Sequence, residues 1–272
     1  MPNYICVQCG VQFAASAAPP AHCPICEDER QYVNWDGQTW TTLDALRRDH
    51  KADIRVEGPG LLGIGATPGV AIGQRALLVQ ARGGNVLWDC APLVDDAMLA
   101  AVRERGGLRA IAISHPHFFS TMVEWSRALD APIYLHRLLE PHVMRPDPAI
   151  TYWDGDTHAL GDGLTLLRGG VHFAGGTMLH WADGADGQGA LLTGDIFTVV
   201  PDRRWVSFMR SYPNLIPEQP AVIRRAVRLV EPYPFERIYG GWWGRIVAQD
   251  AKAAVTRSAA RYLAQIGASP DG

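Results

Sequence analysis

No uninterrupted apolar run in this sequence approaches the roughly 20 residues that a membrane-spanning helix needs. The first residues, Met1-Pro2-Asn3-Tyr4-Ile5-Cys6, lack the basic stretch and apolar core of an export signal. A cytoplasmic protein with no membrane partner is therefore the expectation. Dense Lys/Arg runs are also missing, and the formal net charge is −3, which argues against a nucleic-acid partner or an acidic polymer as substrate. Cysteine is scarce: of five, four fall within the first 26 residues. In a reducing compartment that concentration points to metal binding rather than a disulfide framework. What the sequence has in quantity is apolar side chain, 47% over 272 residues, enough for one large domain with a small appendage.

The four cysteines form two Cys-x-x-Cys pairs, Cys6-Val7-Gln8-Cys9-Gly10 and His22-Cys23-Pro24-Ile25-Cys26. Each tight turn aims two sulfurs at one point, so Cys6, Cys9, Cys23 and Cys26 make a tetrahedral four-thiolate site, with Gly10 relieving the backbone after the first turn. So short a segment cannot bury enough surface to fold alone, and the metal is expected to supply much of its stability. The pattern Tyr4-x-Cys-x-x-Cys-Gly followed by Cys-Pro-x-Cys resembles the rubredoxin-like module at the end of rubrerythrins and, more generally, zinc ribbons. That resemblance admits iron; Glu27, standing where a glycine is usual, favours structural zinc instead. His22 reads as a loop residue, because four thiolates already close the site.

Further on, Tyr32 to Thr41 places Asp36-Gly37 between two aromatic-rich runs, a two-residue hairpin signal, and Thr42 can cap a helix through Arg48. Trp35 and Trp40 read as packing residues. Residues 1–50 are thus expected to form a small module and 51–272 a larger domain. In the latter, strand-like runs at 54–56, 60–66, 76–80, 86–89, 110–113, 131–135, 149–153, 157–160, 164–168, 178–181 and 190–197 alternate with helical spacing at 95–105, 121–129, 218–230 and 248–265. Such alternation implies a layered α/β domain. Cys90 reads as a small buried side chain, and the tail 267–272 as disordered.

Within this frame the run Ala110-Ile111-Ala112-Ile113 ends in Ser114-His115-Pro116-His117. On an extended backbone alternate side chains share a face, so the two imidazoles can converge on one point and form half of a metal site. His172 lies in a glycine-dense stretch, and Asp195 follows Thr193-Gly194 at the end of a buried strand. His50, His136, His142, His158 and His180 read as surface or hydrogen-bonded residues, His180 being the best placed of them to turn toward the site.

Taken in order, His115-x-His117, His172 and Thr193-Gly194-Asp195 resemble the metallo-β-lactamase family, as do Val86-Leu87-Trp88-Asp89 and Tyr152-Trp153-Asp154-Gly155-Asp156. The resemblance covers roughly residues 54–250 and implies an αβ/βα four-layer sandwich. It also implies a metal cage of His115, His117 and His172, with Asp195 completing it. The departures are equally informative: Phe119 and Ser120 stand where the family's Asp and His fall, and Trp242 stands near its final His. With those second-metal ligands gone, a single zinc or other divalent ion is expected. An ion held by three neutral imidazoles, with or without Asp195, lowers the pKa of a coordinated water. Proton transfer then falls to Ser120, to Asp195 when unligated, or to the substrate.

The function so implied is metal-dependent hydrolysis of a small ester, thioester, lactone or amide. A non-catalytic binding protein that kept the fold, and an iron-containing redox protein, are the alternatives. The aromatic and arginine-bearing loop Thr198 to Asn214 is expected either to wall the pocket, an arginine meeting a substrate carboxylate or phosphate, or to pack Trp205 and Phe208 over the sheet edge.

Overall fold

The computed structural model describes residues 1–269. Its central strands read as continuous apolar runs because both of their faces are buried. Among the described residues, seven strands form one sheet in the order Lys51–Gly58, Leu61–Thr67, Ala76–Val79, Val86–Trp88, Ala110–Ala112, Ile133–His136 and Ile150–Trp153. The first four pair antiparallel and the last four parallel. A six-stranded sheet follows: Thr157–Gly161, Leu164–Arg168, Thr177–Trp181, Ala190–Gly194, Arg237–Gly240 and Ile246–Val247, antiparallel except between Ala190–Gly194 and Arg237–Gly240.

Alternate side chains sort into separate cores. Leu77, Val79, Trp88 and Ala112 of the first sheet meet Leu166, Leu179, Trp181 and Leu192 of the second, filling the space between the sheets. From the other face of the first sheet, Leu78, Leu87, Ile111 and Ile133 pack against helices Asp96–Arg103 and Met122–Leu129. The outer face of the second, with Leu167, Met178, Leu191 and Ile238, is covered by helices Pro220–Val230 and Ala251–Gln265. This is the αβ/βα four-layer sandwich. Each fully buried Leu or Ile contributes about 1.5–3 kcal/mol, so the interlayer faces dominate its stability.

The cysteine-bearing segment packs on the outer, helical side of the first sheet. Ile5, Val11, Phe13 and Ile25 share one buried cluster with Leu62, Ile64 and Met122. The hairpin expected across Asp36-Gly37 does not form. The turn exists, with Gly37 N–H donating to the Asn34 carbonyl at 2.9 Å, but strand Trp40–Thr41 pairs antiparallel with Ile5–Cys6 beside the first knuckle. Trp35, expected to pack, stands 97% exposed at the tip. Helix Leu43–Asp49 is capped as expected, Thr42 Oγ1 accepting from Ala45 N–H at 3.3 Å. Of the tail expected to be disordered, Ala268 N–H closes the last helix on the Leu263 carbonyl at 2.8 Å, and residues 270–272 lie outside the described residues. No described helix is long and apolar enough to cross a membrane.

Candidate metal centre

His115 follows its strand in extended backbone (φ −169°, ψ 174°), after which Pro116 starts a short 3-10 turn, Pro116–Phe118. His117 therefore sits on a turn and not on a continuing strand, which corrects the period-two geometry expected from sequence. The turn still brings the two rings together, with centroids 5.1 Å apart.

His172, in the loop between Leu164–Arg168 and Thr177–Trp181, has φ of +66°, a left-handed conformation costly for a residue with a side chain. Two hydrogen bonds hold it there. Its N–H donates to Glu218 Oε2 at 2.9 Å, and its Nδ1 donates to the Arg210 carbonyl at 2.8 Å. A carbonyl can only accept, so Nδ1 carries the proton and the neutral ring offers a lone pair at Nε2. Asp195 is delivered by Gly194, which has φ of +54° and whose missing Cβ would lie 2.5 Å from Ser114 Oγ. Only glycine permits that approach of the two strand ends.

His115 Nε2 lies 3.0 Å from Asp195 Oδ1, and His172 Nε2 lies 3.2 Å from His117 Nδ1 and 3.9 Å from Asp195 Oδ2. All four donor atoms fall within 4.8 Å of one another, and all four residues are buried. A tetrahedral ion with bonds of about 2.0–2.1 Å to nitrogen sets its donors about 3.3 Å apart, so the cage matches a divalent ion. The electrostatics agree. His115 Nε2 and Asp195 Oδ1 are buried without a hydrogen-bond partner, at about 1–3 kcal/mol each. Burial lowers His172 to about 4 and His115 and His117 well below the usual imidazole range, leaving the neutral, metal-binding form. Burial, aided by the nearby Asp89, pushes Asp195 up to about 8, and a cation in the cage is what would restore its carboxylate.

The cysteines pass the same test. Cys6 and Cys26 sulfurs are 3.6 Å apart and those of Cys9 and Cys23 3.8 Å, far beyond a disulfide and close to the edge of about 3.8 Å that bonds of about 2.3 Å to zinc would set. Gln38 Nε2 donates to Cys6 Sγ at 3.2 Å, which favours a thiolate.

A cavity of about 820 Å³ borders the histidine cluster, meeting His117, His172 and Asp195. Trp242, Tyr212, Met209, Val199 and Ile72 line it, together with Gln8, Arg30, Gln31 and Tyr32 from the cysteine segment. No spacing rule in the sequence announces these four as pocket residues.

The chain matches the family model described as the metallo-beta-lactamase superfamily over residues 70–242. It belongs to that superfamily. The match begins after the four-cysteine segment, which lies outside it. The chain is 48% identical over 265 residues to a Bacillus subtilis (strain 168) protein named "Uncharacterized protein YmaE", spanning 97% of this chain and 96% of that one. Similar solved structures include VMB-1 at pH 5.5 (TM-score 0.60, 12% identity, 79% of this chain and 98% of that one) and a metallo-beta-lactamase from Pontibacter korlensis (TM-score 0.55, 14% identity, 78% and 99%). At such identities the likeness is one of fold.

For a member of the metallo-beta-lactamase superfamily, the substituted positions are telling. Phe119 is buried and, with Ser120, turns away from the cavity to flank a void beside Gln12 and Arg145. The Ser120 hydroxyl accepts from Gln74 Nε2 at 3.2 Å. Ser120 is therefore not brought to the centre, and the proton-transfer role expected for it has no geometric support. Trp242 does border the cavity, its indole N–H donating to the Ile72 carbonyl at 2.8 Å. His180 stays on its strand, Nε2 meeting the Pro234 carbonyl at 2.7 Å. In the loop after Asp195, Arg204 pairs with Asp202 and Arg210 with Glu29, so neither faces the cavity. Phe208 is buried while Met209, Tyr212 and Pro213 line the pocket, so the loop both packs and walls. The arginine on the cavity wall besides Arg30 is Arg245.

Proposed function

We propose that this protein is a hydrolase that cleaves a small ester, thioester, lactone or amide, with His115, His117, His172 and Asp195 holding one divalent ion. The observation that carries the proposal is the buried convergence of those four donors beside a cavity walled by apolar side chains and a few polar ones. Three imidazoles and one carboxylate suit zinc. A bound ion would supply positive charge to polarise an acyl carbonyl and acidify water.

The chain's own groups do the rest. Asp195 turns Oδ1 toward His115 at 3.0 Å and Oδ2 toward His172 at 3.9 Å, so this carboxylate would help hold the ion and is the acidic group placed to accept a proton there. Tyr212 donates to the Asp195 carbonyl at 3.0 Å, which fixes the loop after this carboxylate. Trp242, Met209, Val199 and Ile72 pack the acyl body and exclude bulk water. Arg245 has no ion-pair partner among the described residues, and its Nη1 meets only the Val199 carbonyl, at 3.5 Å. It suits a carboxylate on the substrate. The four cysteines hold a structural zinc, residues 1–50 form the module built on it, and 51–272 form the catalytic domain. The protein works in the cytoplasm on small molecules.

The test is a panel of esters, thioesters, lactones and amides assayed with zinc-loaded protein, chelated protein and His117→Ala. Turnover that needs both metal and His117 supports the proposal. A second reading, a binding protein without turnover, draws on Phe119, which is buried away from the cavity and puts no carboxylate at that position to handle a proton. Ligand binding unaffected by His117→Ala, with the whole panel untouched, would favour it.

A further inference from the structure

Few but well-defined bonds join the cysteine cluster to the histidine cluster. On leaving the second knuckle, the backbone presents the carbonyls of Glu29 and Gln31 to Asn214 Nδ2, which donates to them at 2.9 and 3.0 Å. The Glu29 carboxylate pairs with Arg210. Both partners lie in the segment 209–214, and it is the Arg210 carbonyl that fixes the tautomer and direction of His172. In the same stretch, Asp28 grips Arg30 at 2.6 and 2.8 Å and holds its guanidinium 4.0 Å over the Phe173 ring. Phe173 in turn touches His115, His117 and His172, with centroids 5.5, 5.2 and 4.9 Å away.

A second bridge starts from the first knuckle. Gln74, 2% exposed, places Nε2 at 3.3 Å from the Cys9 carbonyl and 3.1 Å from the His117 carbonyl. One amide thus fixes a cysteine turn and a histidine turn together. The cysteine side is the dependent structure of the two. Its regular elements reach only two residues in Ile5–Cys6 and four in Pro24–Glu27, so the two knuckles are joined to each other chiefly through the sulfurs, where an ion would fix them.

We infer that the four-cysteine site governs the histidine centre: the backbone leaving its knuckles positions His172 through segment 209–214 and His117 through Gln74, so the histidine centre binds metal tightly only while the cysteines hold theirs. Asn214 and Gln74 are positioning residues, acting on the ligands through backbone carbonyls. The coupling is reciprocal by linkage, but a four-thiolate site binds zinc tightly enough to stay filled when the histidine centre is empty.

This inference rests on the proposal that both clusters hold metal. Its test counts zinc per chain and measures each site's affinity by competition with a chromophoric chelator, with thermal melting as the control for folding. Wild-type protein is expected to bind two equivalents, and His172→Ala to keep the one at the thiols. Cys9→Ser combined with Cys26→Ser should lose both. Asn214→Ala and Gln74→Met should keep both sites but weaken the histidine site about 10- to 100-fold, the usual cost of removing a group that orients a ligand. Asn214 is exposed, so its variant folds and decides the matter even where the cysteine variant does not. A folded cysteine variant that keeps one zinc at wild-type affinity overturns the inference, as do Asn214→Ala and Gln74→Met variants both within twofold of wild type. Wild-type protein with one equivalent, held only by thiols, overturns the metal proposal itself, a distinct result.

Discussion

The two clusters gather their donors by opposite means. Four sulfurs come from two tight turns within 21 residues of chain, and short-range backbone bonds such as Cys26 N–H to the Cys23 carbonyl at 2.9 Å shape each turn. The histidine centre draws on three loops at the ends of strands from both sheets, spread over residues 115–195, and each ligand needs its own support: Ser114 for His115, Gln74 for the His117 turn, Glu218 and Arg210 for His172. A local site is built by sequence spacing and depends on its ion for order. A dispersed site is built by the fold and depends on packing for its geometry. The first suits a structural ion, the second one that must leave a face open to substrate.

This contrast can be broken or sharpened experimentally. The largest effect belongs to the dispersed site: His172→Ala should cut hydrolysis by about 10³-fold or more, roughly 4 kcal/mol of transition-state stabilisation, while the thermal midpoint stays near wild type; steady-state kinetics beside calorimetry will show it. Chelation should cut hydrolysis as well and, unlike His172→Ala, lower the thermal midpoint, since the thiol ion stabilises the fold. If free zinc exceeds its dissociation constant about 1,000-fold, its removal costs about 4 kcal/mol and lowers the melting midpoint by about 8–16 °C in a differential scanning experiment. Next comes Arg245→Gln, for which the ratio of kcat/KM on a carboxylate-bearing ester to that on its neutral analogue should fall about tenfold, about 1.4 kcal/mol of charge recognition. Smallest is Ser120→Ala. Because that hydroxyl faces Gln74, kcat/KM should stay within about twofold of wild type, and a loss of 100-fold would restore Ser120 to the reaction.

The cysteine knuckles were fully legible in the sequence because their ligands are neighbours in the chain. The layered fold was nearly so, because strands buried on both faces and amphipathic helices have distinct periods. His172 and Asp195 were legible only through the order of their motifs, since nothing local to either says where its side chain points. Glu218, Arg30 and Gln74 escaped because their positions are set by contacts across 40 residues or more, such as Gln74 with the His117 carbonyl, and Tyr212 because no spacing rule links it to Asp195. The hairpin failed for a related reason. Asp36-Gly37 makes its turn, but Trp40–Thr41 pairs with Ile5–Cys6, a partner more than 30 residues away in the chain.

Anomalous diffraction at the zinc edge, from crystals of protein purified without chelator, tests the central claim most directly. The account predicts two peaks per chain, one among the four cysteine sulfurs and a single one about 2.0–2.2 Å from His115 Nε2, a His117 ring nitrogen, His172 Nε2 and one Asp195 oxygen. A lone peak at the sulfurs, with the three imidazoles bonded only to one another, would contradict it.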